Sequence, residues 1–183
     1  MVEDSLTRVA VFCGSSTGHG TRYLNAAIDL GKLLAARGIG LVYGGSHVGT
    51  MGALADATMA AGGEVIGVLP DHMKSQELAH EALTELHIVG SMHERKAMMA
   101  DYADAFLVLP GGAGTLDELF EIWTWAQIGL HDKPIGLVDV DGFYQPLLRM
   151  VEHMVANGFT KPGYRDLLAV HPDPAVLLDG FTA

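Results

Sequence analysis

Two side chains, Glu118 and Arg95, are set in contexts where their chemistry could break a bond. Glu118 closes the segment Pro110-Gly111-Gly112-Ala113-Gly114-Thr115-Leu116-Asp117-Glu118, in which a glycine loop joins an apolar run to a helical one. Glycines let backbone N–H groups turn toward an anion. The helix that follows adds unsatisfied N–H groups and a partial positive charge. Thr115 can cap that helix or bond a phosphate oxygen. A carboxylate one turn further along lies within reach of whatever carries the anion. It can orient or deprotonate water, or stabilise an oxocarbenium-like sugar. Glu121, three residues on, shares the same helical face and is an accessory candidate, whereas Asp117 reads as ordinary helix-dipole chemistry.

Arg95 and Lys96 form the only adjacent basic pair among 11 Lys and Arg residues. They fall at the start of a predicted helix, Ser91-Met92-His93-Glu94-Arg95-Lys96, where positive charge gains nothing from the macrodipole. That small penalty favours a ligand-facing role. Arg95 suits bidentate contact with a carboxylate or a substrate oxygen; Lys96 joins it as a substrate-side cation, with Met92 as an accessory. A second glycine loop, Gly44-Gly45-Ser46 through Gly52, and a Ser-rich loop containing Ser15 follow the first two strands. The substrate- or phosphate-binding set is thus Gly111, Gly112, Gly114, Thr115, Gly44, Gly45, Ser46, Ser15 and Lys96. No GxxxxGK[ST] is present, and no loop carries dinucleotide glycine spacing. A mononucleotide or sugar phosphate fits these loops better than NAD.

These loops need strands and helices to hold them. Short apolar runs at 8–13, 39–43, 64–69, 85–89, 105–109 and 135–138 read as strands. Helical periodicity covers 21–37, 51–61, 92–102, 115–130 and 143–156. Strands that are apolar at nearly every position belong to parallel sheets covered on both faces. The expectation is an α/β chain, a Rossmann-like doubly wound parallel sheet flanked by helices on both faces, forming one domain over residues 1–183. In the tail, 159–183, a short extended piece and a terminal helix are the readable elements. Residues 71–83 are polar, with histidine and lysine, and read as a surface excursion. All three glycine loops then fall at the carboxyl ends of strands, where such sheets bind ligands.

Composition excludes several classes. The chain carries 11 Lys+Arg against 22 Asp+Glu, a net charge of −11, which lacks the footprint for a nucleic-acid polymer. One cysteine, Cys13, cannot form an internal disulfide and fits a cytoplasmic protein. The first residues show no apolar leader, and no run reaches a membrane span. Nine histidines occur outside any HxH, HExxH or Cys/His cluster, so no metal site is predicted. With 49% hydrophobic residues, mean hydropathy +0.26 and 23 glycines, the chain is oily for a monomer and suggests a subunit interface. Trp123 and Trp125 belong either to the core or to that interface.

PGGAGTLDE at 110–118 and SMHERKAMM at 91–99, with VFCGSS (11–16), YGGSHVGTMG (43–52) and TWAQIGLHDKPIGL (124–137), closely resemble the LONELY GUY (LOG) family over about residues 8–160. Its members are cytokinin riboside 5′-monophosphate phosphoribohydrolases, long labelled lysine decarboxylases. The resemblance implies hydrolysis of the N-glycosidic bond of an N6-substituted AMP, without cofactor, in a homodimer with active sites near the interface. It places the catalytic pair at Arg95 and Glu118 and phosphate binding at Gly111, Gly112, Gly114 and Thr115. The helix terminus is expected to keep Glu118 ionised. The alternative is a non-catalytic nucleotide carrier of the molybdenum-cofactor carrier type, which needs the loops but no Arg/Glu pair. A pyridoxal phosphate decarboxylase needs a Schiff-base lysine, for which only Lys96 is near.

Overall fold

Strand β1 (Arg8–Phe12) is the middle strand of a seven-stranded sheet in the computed structural model, which describes residues 6–74 and 78–182. The neighbours are β2 (Gly40–Tyr43), β3 (Val65–Pro70) and β4 (Glu85–Val89) on one side, and β5 (Ala105–Val108), β6 (Ile135–Val138) and β7 (Leu168–His171) on the other. Every pairing is parallel. The helices are α1 (Arg22–Ala36), α2 (Gly49–Ala60), the short α3 (Asp71–Lys74), α4 (Met92–Tyr102), α5 (Ala113–Gln127), α6 (Gln145–Ala156), the short α7 (Pro162–Arg165) and α8 (Pro174–Phe181).

The doubly wound expectation holds, and β1 shows why. Its side chains alternate, with Val9 and Val11 packing into one core and Ala10 and Phe12 into the other. The first core joins them to Leu30 and Leu34 of α1, Leu54 of α2 and Leu177 of α8. The second joins them to Met99 of α4, Ile122 and Trp123 of α5, and Val151 of α6. A strand buried on both faces cannot afford polar positions, which is why the central strand runs are apolar at nearly every position. Trp123 is core, its indole N–H donating to the Tyr164 carbonyl at 2.8 Å. The tail supplies both the extended piece, which becomes β7, and the terminal helix.

Two differences from the sequence reading have clear causes. Helix α5 begins at Ala113, two residues before the expected start, because Gly112 in extended conformation serves as N-cap; Thr115 therefore lies within the first turn and is not the cap. The excursion after β3 is not wholly superficial. His80 is buried, its Nε2 2.9 Å from Asp56 of α2, and its backbone N–H donates to the Gly45 carbonyl. Residues 75–77 of that excursion lie outside the described residues.

Helices α1 and α2 approach closely at Gly31, where a Cβ would lie 2.6 Å from the Leu54 carbonyl oxygen and 2.8 Å from Thr58 Oγ1. One obstacle is backbone and cannot rotate away. Gly31→Ala is expected to cost about 2 kcal/mol despite the better helix propensity of alanine. Urea denaturation would show this as a lower midpoint at unchanged slope.

The chain runs outward from β1 to β4, then returns across the sheet to β5 on the other side of β1. This reversal parts the β1 and β5 loops and opens a crevice above them, the usual ligand position in such sheets.

Candidate active site

The ends of β1, β2, β3 and β5 and the starts of α4 and α5 meet over this crevice. Residue Arg95 enters from the first turn of α4, whose start is fixed by reciprocal capping. Ser91 Oγ accepts from the Glu94 N–H at 3.2 Å, while the Glu94 carboxylate accepts from the Gly90 N–H at 2.6 Å. The Arg95 side chain turns inward and is only 6% exposed. Its Nε donates to the Val68 carbonyl and its Nη2 to the Gly44 carbonyl, both at 3.0 Å. The carbonyl ends of β3 and the β2 loop thus seat the guanidinium. Nη1 is left facing Glu118 Oε1 at 3.8 Å and the Met92 sulfur at 3.8 Å.

Glu118 is 7% exposed. Burial pushes its carboxyl up to about 7, from an ordinary 4.5, against the opposing pull of the Arg95 guanidinium. Asp117 and Glu121 push in the same upward direction as burial, and Lys96 in the opposite one. The expectation of an ionised Glu118 is corrected here. The helix terminus is outweighed by desolvation, a cost invisible until the packing around α5 is known.

A cavity of about 280 Å³ holds both groups. Its walls include Ser15, Gly44, Met92, Gly112, Ala113, Gly114 and Thr115, with Met51 and Met73 supplying soft apolar surface. No side chain caps α5, so the backbone N–H groups of its first turn remain available as anion donors. A second cavity of about 250 Å³ shares Ser15 and Gly112 and extends past Gly111 to Tyr23 and Phe143. Cys13 also lines the first cavity, but burial drives its thiol up to about 12, so it is neutral and inert.

Several expected site residues are placed elsewhere. Gly45 and Ser46 back the loop instead of facing the cavity. Ser46 pairs with Ala79 and its carbonyl accepts from the Tyr43 hydroxyl at 3.0 Å. The second glycine loop proves to be a packing device. Gly49, at φ +62°, leaves no room for a Cβ against the Ser15 backbone, and Thr50 Oγ1 donates to the Gly14 carbonyl at 3.0 Å. Only Gly44 of the three named residues there reaches the cavity. Lys96 does not face it either. Its ammonium lies 3.0 Å from Asp117 Oδ2 and 2.7 Å from Glu121 Oε2, which gives Asp117 a partner the helix-dipole reading did not foresee and turns Glu121, the accessory candidate, toward Lys96. Among the described residues no group of three or more His, Cys, Asp or Glu comes together as a metal-binding set, and no helix is long and apolar enough to cross a membrane. Val68 was missed: a backbone acceptor leaves no trace in residue type.

The family model described as "Possible lysine decarboxylase" matches residues 51–181. A cytokinin riboside 5′-monophosphate phosphoribohydrolase of Arabidopsis thaliana is 46% identical over 172 residues, spanning 94% of this chain and 80% of the relative. One from Oryza sativa subsp. japonica, named as a probable enzyme of the same kind, is 51% identical over 171 residues, 93% of this chain and 75% of the relative. Among solved structures, the molybdenum cofactor carrier protein of Chlamydomonas reinhardtii superposes with a TM-score of 0.72 at 23% identity, covering 96% of each chain. At that identity the likeness is one of fold. The chain belongs to the LONELY GUY (LOG) family, the family also described as possible lysine decarboxylases.

Proposed function

We propose that this protein hydrolyses the N-glycosidic bond of N6-substituted adenosine 5′-monophosphates, giving free base and ribose 5-phosphate. The carrying observation is the buried Arg95–Glu118 pair beside an uncapped helix terminus in one cavity. A carrier would need only the second feature.

The 5′-phosphate is assigned to the α5 terminus, with Gly111, Gly112, Gly114 and Thr115 around it and Ser15 across the crevice. Ribose then lies toward Glu118, one turn along the same helix. As the C1′–N9 bond breaks, its electron pair leaves with the purine and positive charge develops on the sugar. The Glu118 carboxylate stabilises that charge and takes a proton from the attacking water, which adds to C1′. A proton returned to the base nitrogen balances the reaction. Arg95 faces Glu118 with Nη1, the one end of its guanidinium not committed to a backbone carbonyl, and supplies a nearby positive charge.

Incubation with N6-isopentenyl-AMP, AMP and the dephosphorylated riboside tests this directly. Free base is expected from the monophosphates only, and Arg95→Ala is expected to lower that release by about two orders of magnitude. Base release from the riboside at a comparable rate would remove the phosphate from the recognition scheme. The decarboxylase reading has no support in the site, since Lys96 is committed to two carboxylates.

The protein is further proposed to act as a homodimer in a reducing, cytoplasmic compartment. Ile128 and Leu130, just beyond α5, are 65% and 67% exposed, and Trp125 lies only partly buried nearby. Such apolar surface supports a second copy as partner. The lone cysteine, buried as a free thiol, supports the compartment.

A further inference from the structure

We propose that Lys96 is a positioning residue for the Arg95–Glu118 pair: its ammonium, held between Asp117 and Glu121, ties α5 to α4 and sets the distance at which guanidinium and carboxylate face each other. The kinetic part of this inference rests on the nucleotide hydrolase reading; the geometric part does not.

The geometry is a pair of adjacent crossings. Residues 95 and 96 are neighbours on α4, and residues 117, 118 and 121 lie within one turn of α5. The ion pairs between the two helices among the described residues are Arg95–Glu118, at 3.8 Å, and Lys96 with Asp117 and Glu121, at 3.0 and 2.7 Å. The first is long, and Arg95 is anchored to carbonyls of β3 and of the loop after β2, not to α5. Alongside the apolar packing of Met99 with Leu119 and Ile122 in the core, the short polar contacts between α4 and α5 are therefore those of Lys96. The ammonium and the Glu121 carboxylate are 8% and 22% exposed in their side chains, so that contact is weakly screened, whereas Asp117, 62% exposed, adds a more solvated one.

Lys96 also balances charge around Glu118. The charged and titratable groups acting on that carboxyl are Arg95 and Lys96 from α4, and Asp117 and Glu121 from α5; Cys13, beyond β1, couples to it as well. Removing Lys96 leaves two uncompensated carboxylates beside Glu118. Removing the two carboxylates instead leaves an uncompensated ammonium there. The two cuts break the same tie but change the local charge in opposite directions.

The test compares Lys96→Met with the double variant Asp117→Asn/Glu121→Gln. Both are expected to lower kcat for N6-isopentenyl-AMP about tenfold or more, with KM changed by less than about threefold. The acid limb of the kcat/KM profile is expected to move up by about one pH unit in Lys96→Met and down in the double variant. Lys96→Arg, which keeps the charge and can still reach both carboxylates, is expected to recover most of kcat. Unchanged plateau kcat in both folded variants, with only the limb moving, would overturn positioning in favour of charge alone. No change in either quantity would overturn the inference altogether. Should Lys96→Met fail to fold, the double variant alone decides by the same two readouts. A ¹³C titration of the Glu118 carboxyl in free wild-type and variant protein needs no turnover. It must show the same opposed shifts, and it separates failure of this inference from failure of the proposed reaction.

Discussion

Glu118→Gln is expected to abolish base release from nucleoside monophosphates, by about three orders of magnitude, while leaving the protein folded and at neutral pH no less stable. Glutamine matches the carboxyl in shape and keeps an oxygen toward Arg95 Nη1, but it can neither accept a proton from water nor carry negative charge against a cationic sugar. Stability follows from the raised carboxyl, about 7 folded against 4.5 ordinarily. Below about pH 4.5 both the folded and the unfolded chain hold this proton, and the residue costs nothing. Between that pH and about 7 the unfolded chain releases it first. The folded state then binds more protons, and stability falls as pH rises. Above pH 7 the full cost is reached, about 3 kcal/mol for this buried group. Urea denaturation at pH 5 and pH 8 should therefore show a decline in wild type that is largely absent in Glu118→Gln. Wild-type kcat/KM should climb through about pH 7 as the free carboxyl ionises. Equal activity at pH 5.5 and 8 would contradict a carboxylate base with this environment.

The parts of this site that were readable from residue types are those in which the side chain itself does the work. Glu118 after PGGAGT and Arg95 at an electrostatically unrewarded helix start both carry their signal in identity and position. The sheet was readable for a similar reason, since β1 feeds two cores and so excludes polar residues from nearly every position. What escaped were relations between segments distant in sequence. Lys96 looked like a substrate ligand because nothing local reveals that residues 117 and 121 would meet it. The second glycine loop looked like a phosphate cradle because close backbone packing, as between Gly49 and Ser15, selects glycine for the same absence of a Cβ. Burial misled about Glu118 in the same way, since its proton affinity is set by what surrounds α5 and not by the helix terminus alone.

Gly44→Ala carries the sharpest expectation among residues that take no part in the chemistry. A Cβ at Gly44 would overlap Nη2 of Arg95 and come within 2.5 Å of the Met51 methyl carbon. The methyl group can swing away at small cost. The guanidinium is different, because the atom it would collide with is bonded to the carbonyl of Gly44 itself, and Nε is held by Val68. Relief therefore requires Arg95 to leave its seat, forfeiting two charge-assisted bonds in a buried site. The sheet loses the Arg95 donor to the Val68 carbonyl of β3 but none of its strand pairings, so the fold should survive with a cost of about 1–3 kcal/mol. Catalysis should not survive as well. With Arg95 displaced, Glu118 loses the larger of the two cations that oppose its burial, and its carboxyl moves up from about 7. A fall in kcat of about a hundredfold is expected, together with an acid limb shifted to higher pH. Arg95→Ala in the same background decides the cause. If Gly44→Ala acts through the guanidinium, combining the two should cost little more than the larger single effect. Full additivity would mean that the methyl group disturbs the substrate directly, and that Gly44 belongs to the phosphate loop after all.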